Sequence, residues 1–275
     1  MSLDQSVHAT PQIAPERGGR RTVRQNLQAL HSAQKSGAGV PAYTRWVNRR
    51  AARIIAATAA SLGLTPNQVT GLSAGLSAAG LAVLLIAGPQ WWSAFLCSVL
   101  LAAGYVFDSA DGQVARLTGA GSPAGEWLDH VVDAARTPAI HLSIAVAVFV
   151  HRPDLLWVGG VSMAFAVLSA AQFMSQILAE QLVRSTGPEQ TSGPQLKQSL
   201  VLLPTDTGVL CWCFALWAFP PAFAVVYTVL FALNLVHSAA SMLRKHRKLT
   251  SIPRSSRRGR HAGRSEPSTD EKIAT

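Results

Sequence analysis

Four carboxylates recur at helical spacings within "FDSADGQVARLTGAGSPAGEWLDHVVDAAR", residues 107–136: Asp108 and Asp111 are three apart, Asp129 and Asp133 four apart. The chain holds eight aspartates, so half of them fall between 108 and 133. On a helix these spacings place both members of a pair on one face. Two such faces brought together form an oxygen-rich nest suited to a hard divalent cation, Mg²⁺ or Mn²⁺, rather than to a softer metal. No histidine and cysteine set competes. His130 turns away from the face that Asp129 and Asp133 share, and His141 reads as a packing residue. Cys97, Cys211 and Cys213 lie in apolar segments as small hydrophobes. Gly112 and Gly125 remove side chains where helix ends must approach each other or a ligand's phosphates, and Arg116 offers a planar cation that can hold a phosphate bidentately.

The elements that must position these residues read as membrane helices. Apolar residues make up 49% of the 275-residue chain and charged ones 14%, with uncharged blocks of about 20 residues, the length that crosses a hydrocarbon core. The expected spans are 68–88, 91–110, 120–150, 154–180, 201–219 and 221–243. In 41–64, Arg45, Arg49, Arg50 and Arg53 face away from Val47, Ala51, Ile54, Ile55 and Leu62, the pattern of a helix lying in the membrane interface. The fold class is therefore an all-α integral membrane protein, six transmembrane helices preceded by an amphipathic interfacial helix. Its expected parts are a disordered tail over 1–40, the interfacial helix over 41–64, a six-helix catalytic domain over 65–243 and a basic disordered tail over 244–275. Within the spans, Gly71, Gly75 and Ala79 should admit a neighbouring backbone. Pro138 should kink the third helix. The first 30 residues contain no apolar run resembling a cleaved signal, so the mature chain is expected to be the whole chain.

The formal charge is +10, and the basic residues gather in the tails and beside span ends. This pattern suits topology and anionic lipid rather than nucleic acid. Nine Lys and Arg precede the first span and ten follow Arg244 inclusive. Both termini, and with them the aspartate stretch, are expected on the cytosolic side. An ionised carboxylate at membrane depth costs a few kcal/mol unless it faces a cavity, cation or partner. Arg116 and Arg136 cannot neutralise four of them.

Asp108, Asp111, Gly112, Ala115, Arg116, Gly125, Asp129 and Asp133 compose DxxDGxxAR, eight intervening residues, then GxxxDxxxD. The pattern resembles, without a departure, the signature of the CDP-alcohol phosphotransferase family of membrane enzymes in phospholipid synthesis. Eight such positions coincide by chance on the order of 10⁻⁹ per starting site at ordinary residue frequencies. The likeness extends over about residues 41–243. It implies transfer of a phosphatidyl-type group from a CDP-alcohol such as CDP-diacylglycerol to an acceptor hydroxyl, with CMP released. It also implies two divalent cations, Mg²⁺ or Mn²⁺, held by Asp108, Asp111, Asp129 and Asp133, with Asp133 additionally taking the acceptor's proton. Gly112, Ala115, Arg116, Ser122, Pro66, Asn67, Gln68 and Val69 would surround the CDP moiety. Such enzymes are usually homodimers in the membrane, here expected in a prokaryotic plasma membrane, acting on a CDP-linked lipid donor and a small or lipid alcohol.

The acceptor is less legible. Arg136, three residues after Asp133, either binds an acceptor phosphate or pairs with Asp133 or Asp129. Lys197 is a further acceptor candidate, while Arg184, Lys197 and Asp206 read more simply as solvated rim charge. A divalent-cation transporter would also use the four aspartates, but leaves Gly112, Ala115 and Arg116 without a role. Its pathway should also show acidic residues at both membrane faces, and the opposite face has Asp154 alone.

Overall fold

The computed structural model describes residues 21–32, 40–184, 199 and 201–251, and every regular element among them is helical. Helix α1 spans Val23–Ser32. A π-helical turn, Thr44–Asn48, runs into α2, Arg49–Leu62. There follow α3, Pro66–Ala87; α4, Trp91–Thr118; α5, Pro123–His151; and α6, Leu156–Arg184, entered through a 3-10 turn at Pro153–Leu155. Helix α7, Thr207–Cys213, and α8, Pro220–Thr250, complete the order.

Local chemistry sets the corners. Gly63 ends α2 at φ 78°, and the Leu64 N–H returns to the Ala59 carbonyl at 2.9 Å, closing the helix as a glycine C-terminus does. Two residues on, Thr65 starts α3 with a capping box: its hydroxyl accepts from the Gln68 N–H while the Gln68 side chain accepts from the Thr65 N–H. Pro66 occupies the first turn, where its missing N–H costs nothing. Helix α4 runs on past Asp111 and Arg116 and stops at Gly119, φ 66°, before Ser122 caps α5 through the Gly125 N–H. The connection is thus residues 119–122, shorter than the 111–119 gap between the expected spans and shifted toward α5, because Gln113, Ala115, Arg116 and Leu117 are good helix formers that carry α4 up to the glycine.

Among the described residues, five helices are long and apolar enough to cross a membrane: α3, α4, α5, the Pro153–Val183 stretch and α8. Residues 201–219, expected as one span, are broken instead. A 3-10 turn at Leu203–Thr205 precedes α7, and a second 3-10 stretch covers Phe214–Ala218. Pro204 cannot supply a backbone N–H, and Asp206 accepts from the Gly208 N–H to begin a new helix. Helix α5 stays continuous through Pro138.

The N-terminal expectation also changes. Within 1–40, α1 packs on α2: the Asn26 amide donates to the Ala57 carbonyl at 3.1 Å, and Leu30 is buried. At the other end α8 continues through the basic residues Arg244 to Lys248. Gly71 and Gly75 do not mediate close packing among the described residues, since a Cβ on either would meet none of them within 4 Å. The close approach lies one face over, at Gly104, where a Cβ would fall 2.4 Å from the Ser77 hydroxyl and the Gly104 carbonyl accepts from Ser73. Exposed Val146, Phe149, Met163, Val167, Val225 and Val229 leave the long helices with apolar outer faces.

Two apolar cores result. Leu101, Ile144, Phe165, Phe214, Trp217, Phe223 and Tyr227 form one. Leu30, Ala52, Ala56, Val69, Ala110 and Val114 form the other, among α1 to α4. Along α4, Asp108 falls between Leu101 of the first and Ala110 of the second.

Candidate active site

Helices α4 and α5 bring three of the four aspartates together. Asp108, Asp129 and Asp133 each offer a carboxylate oxygen, and these oxygens lie within 4.8 Å of one another. Opposite ligands of a Mg²⁺ ion stand about 4.2 Å apart, given metal–oxygen distances near 2.1 Å, so the set is close to the size of a hard-cation shell and carries only hard oxygen donors. Arg136 of α5 crosses to α4. Its guanidinium donates to Asp108 at 2.7 Å, to Asp133, and to the Ser73 hydroxyl of α3 at 2.9 Å. One guanidinium thus bonds two of the three clustered carboxylates, an arrangement that leaves room for further positive charge.

Asp111 is oriented separately. It is buried, its carboxylate accepting from the Thr70 hydroxyl at 2.6 Å and from the Gly112 N–H. Its position is thus set from α3, by the last residue of "TPNQVT".

Two cavities meet at Asp108. The smaller, about 250 Å³, is walled by Leu30, Thr44, Arg49, Ser109, Gln113 and Arg116 together with Gly112, Asp108, Asp111 and Asp129. Among the described residues the buried Nε of Arg116 has no hydrogen-bond partner, and Gly112 has its nearest neighbour, the Arg116 guanidinium, 3.7 Å from where a Cβ would stand. Such a surface, two guanidiniums opposite three carboxylates, suits a phosphate held next to metal ions. The larger cavity, about 460 Å³, lies beyond Asp108, Asp133 and Arg136, between α5, α6 and α8. Its walls mix polar Thr137, Gln172 and Asn234 with apolar Ile140, Phe165 and Leu168.

Of the residues expected around a nucleotide, Gly112 and Arg116 line the smaller cavity. Ala115 is half-buried on the same helix without forming part of that wall. Pro66 and Gln68 serve the start of α3, Val69 is 0% exposed in the second core, and Ser122 caps α5. Asn67 reaches α5, its carbonyl oxygen 3.2 Å from where a Gly125 Cβ would be, so Gly125 is the glycine that lets the two helix starts meet. Lys197 lies outside the described residues, and only the helical backbone of Arg184 is described.

Asp206 is not rim charge. It is 2% exposed, and its carboxylate accepts from the Thr44 N–H at 2.7 Å, the Thr44 hydroxyl at 2.8 Å and the Gly208 N–H at 3.0 Å. The Thr44 hydroxyl also bonds Tyr105 at 2.7 Å, tying the turn before α2 to the larger cavity's wall. The cap pattern Asp-Thr-Gly was the signal available for this. His141 packs as expected, stacked on Phe165 at 3.9 Å and bonded to the Tyr227 hydroxyl at 2.7 Å. Thr44, Arg49, Thr70, Ser73 and Leu30 had no spacing signal that pointed to the site.

The family model described as CDP-alcohol phosphatidyltransferase matches residues 63–240. The chain is similar to the archaetidylinositol phosphate synthase of Pyrococcus horikoshii, 35% identical over 94 residues, covering 34% of this chain and 46% of that protein. It is also similar to the phosphatidylinositol phosphate synthase of Corynebacterium glutamicum, 45% identical over 73 residues, covering 26% of this chain and 31% of that protein. The matched stretches span less than half of either relative.

Proposed function

Since the chain belongs to the CDP-alcohol phosphatidyltransferase family, a family of membrane phosphotransferases, we propose that it transfers a phosphatidyl-type group from a CDP-alcohol such as CDP-diacylglycerol to an acceptor alcohol. The observation that carries this reading is the convergence of Asp108, Asp129 and Asp133 between two cavities, one lined by Arg116 and Arg49.

In the proposed step the acceptor oxygen bonds to the donor phosphorus that bears the alcohol, and the bond from that phosphorus to the oxygen of CMP breaks. The acceptor's proton passes to the Asp133 carboxylate and the electron pair of the broken bond leaves with CMP. Asp108, Asp111, Asp129 and Asp133 would hold two divalent ions, Mg²⁺ or Mn²⁺, which supply charge to offset the diphosphate and the leaving CMP. Thr70 fixes the Asp111 carboxylate for that purpose. Arg116 binds a diphosphate oxygen and Gly112 keeps its approach clear, with Ala115 acting from the same helix behind that wall. Asn67 and Ser122, at adjoining helix starts, border the same end, with Pro66, Gln68 and Val69 acting through the shape of the α3 start.

The acceptor enters through the larger cavity, where its hydroxyl meets Asp133. The bonds of Arg136 to Asp108 and Asp133 favour the pairing role over direct acceptor binding. Holding the nucleophile and phosphorus in line supplies much of the remaining rate.

In the proposed placement, residues 41–64 lie in the interface with Val47, Ile54 and Leu62, all exposed, toward lipid. Thr207–Ala218, with the irregular stretch before it, makes the fifth of six crossings, non-helical backbone at that depth being tolerable against a polar cavity. The catalytic domain is 65–243, flanked by cytosolic tails. The enzyme is a homodimer of a prokaryotic plasma membrane with its site on the cytosolic face.

The test is CMP release by purified protein given CDP-diacylglycerol, Mg²⁺ or Mn²⁺, and a panel of inositol phosphate, glycerol phosphate, serine, inositol and phosphatidylglycerol. Inositol phosphate stands first because both relatives are named for inositol phosphate lipids. Metal-dependent CMP formation with at least one acceptor is expected. Cation flux through reconstituted vesicles with no CMP formed would replace the enzyme with a transporter.

A further inference from the structure

We propose that α1 is a wall of the nucleotide half of the site, and that Leu30 is the residue through which it sets affinity for the donor's base. The inference rests on the transfer reading above, because it takes the smaller cavity as the place of the nucleotide. Helix α1 lies outside the residues that the family model matches, 63–240.

Helix α1 is built and fastened rather than loosely laid on. Thr22 and Gln25 start it with reciprocal bonds, the Gln25 side chain accepting from the Thr22 N–H at 2.8 Å and the Thr22 hydroxyl accepting from the Gln25 N–H at 3.4 Å. Asn26 is buried and donates to the Ala57 carbonyl of α2. One turn further, Leu30 is 2% exposed, in the core shared with Ala52, Ala56 and Val114, while its side also closes the cavity that holds Gly112 and Arg116.

The chemistry of the walls assigns the occupant. Among the described residues that line the cavity, Leu30 is the one aliphatic side chain; the rest are charged, polar or glycine. At about 250 Å³ the cavity is smaller than the roughly 300–1,000 Å³ of pockets that enclose a whole ligand, so it takes only the donor's head and the lipid tails lie elsewhere. Within that head the diphosphate belongs with the guanidiniums and the carboxylate-bound ions. The pyrimidine has apolar faces, and Leu30 is the surface that matches them. An apolar wall on the base also keeps water from the diphosphate, strengthening its attraction to Arg116.

The test combines steady-state kinetics with amide exchange on the full chain in lipid nanodiscs. Leu30→Ala should raise the KM for CDP-diacylglycerol about tenfold, the scale on which trimming an apolar group from a specificity pocket acts, with the acceptor KM unmoved and the loss falling on KM rather than kcat. Asn26→Ala, which loosens α1 without touching the cavity, should raise the donor KM in the same direction, and Leu30→Met should restore it. In the wild-type protein, CMP with Mg²⁺ should slow exchange over residues 23–32. Donor KM values within twofold of wild type in both alanine variants, or exchange at 23–32 indifferent to CMP, would overturn the wall. Absence of any CMP release by the wild type would instead remove the transfer reading, and the response of α1 to added CMP would still decide whether it borders a nucleotide site.

Discussion

Arg136 joins what the motif keeps apart, linking Asp108 of α4, Asp133 of α5 and Ser73 of α3 through one guanidinium. A cation placed there offsets carboxylates that would otherwise repel one another in a half-buried pocket. Asp133 consequently has two attachments, to Arg136 and to the proposed ions, and one proposed task, taking the acceptor's proton. Asp133→Asn keeps the shape but removes the basic oxygen pair. Its turnover should fall by about 10² or more, while its thermal midpoint stays near that of the wild type because Arg136 retains Asp108 and Ser73. CMP release and a thermal unfolding scan on the same preparation check both halves, and full turnover would dismiss Asp133 as the base. The paired spacings made the aspartates legible at this scale. The Thr70 bond to Asp111 was not, since a threonine in a helix's second turn carries no mark of what lies across from it.

The segment that resists the simple span pattern is 201–219, where apolar composition predicts a continuous helix and Pro204 with Asp206 divides it. The division has a use: Asp206 caps α7 and grips Thr44, so the turn before α2 is held against the wall of the larger cavity. Gly208 admits that approach, because a Cβ there would stand 2.0 Å from the Tyr43 ring, whose hydroxyl in turn accepts from the Trp212 indole at 2.9 Å. Gly208→Ala should therefore destabilise the protein by about 1–3 kcal/mol, the usual cost of overpacking. A lower thermal midpoint, with the Trp212 fluorescence altered, is the expected result; an unchanged midpoint would mean that Tyr43 yields without cost. Helix α1 was missed for a related reason. Val23, Leu27 and Leu30 make only a short apolar stripe in a polar stretch, and the partners of Leu30 on α2 and α4 are distant in sequence.

Across the whole molecule, six crossings and five make opposite statements about the termini. With Thr207–Ala218 as a crossing, both ends would lie on one side of the membrane, the arrangement that the Lys and Arg distribution predicts. Epitope tags added to each terminus in intact spheroplasts should both resist external protease and both be cut after permeabilisation. Cutting of one tag alone before permeabilisation would leave five crossings. Sequence alone determined the helical membrane class, the aspartate pairs, the family and the polarity of the tails, because length, apolarity and helical spacing are local properties that a linear chain displays. Only the tertiary structure decided that Asp111 answers to Thr70, that Arg136 bridges two helices, that Asp206 is buried and that α1 closes a cavity. Each of these depends on which faces meet across the bundle, and packing between residues far apart in sequence leaves no periodic trace in either partner.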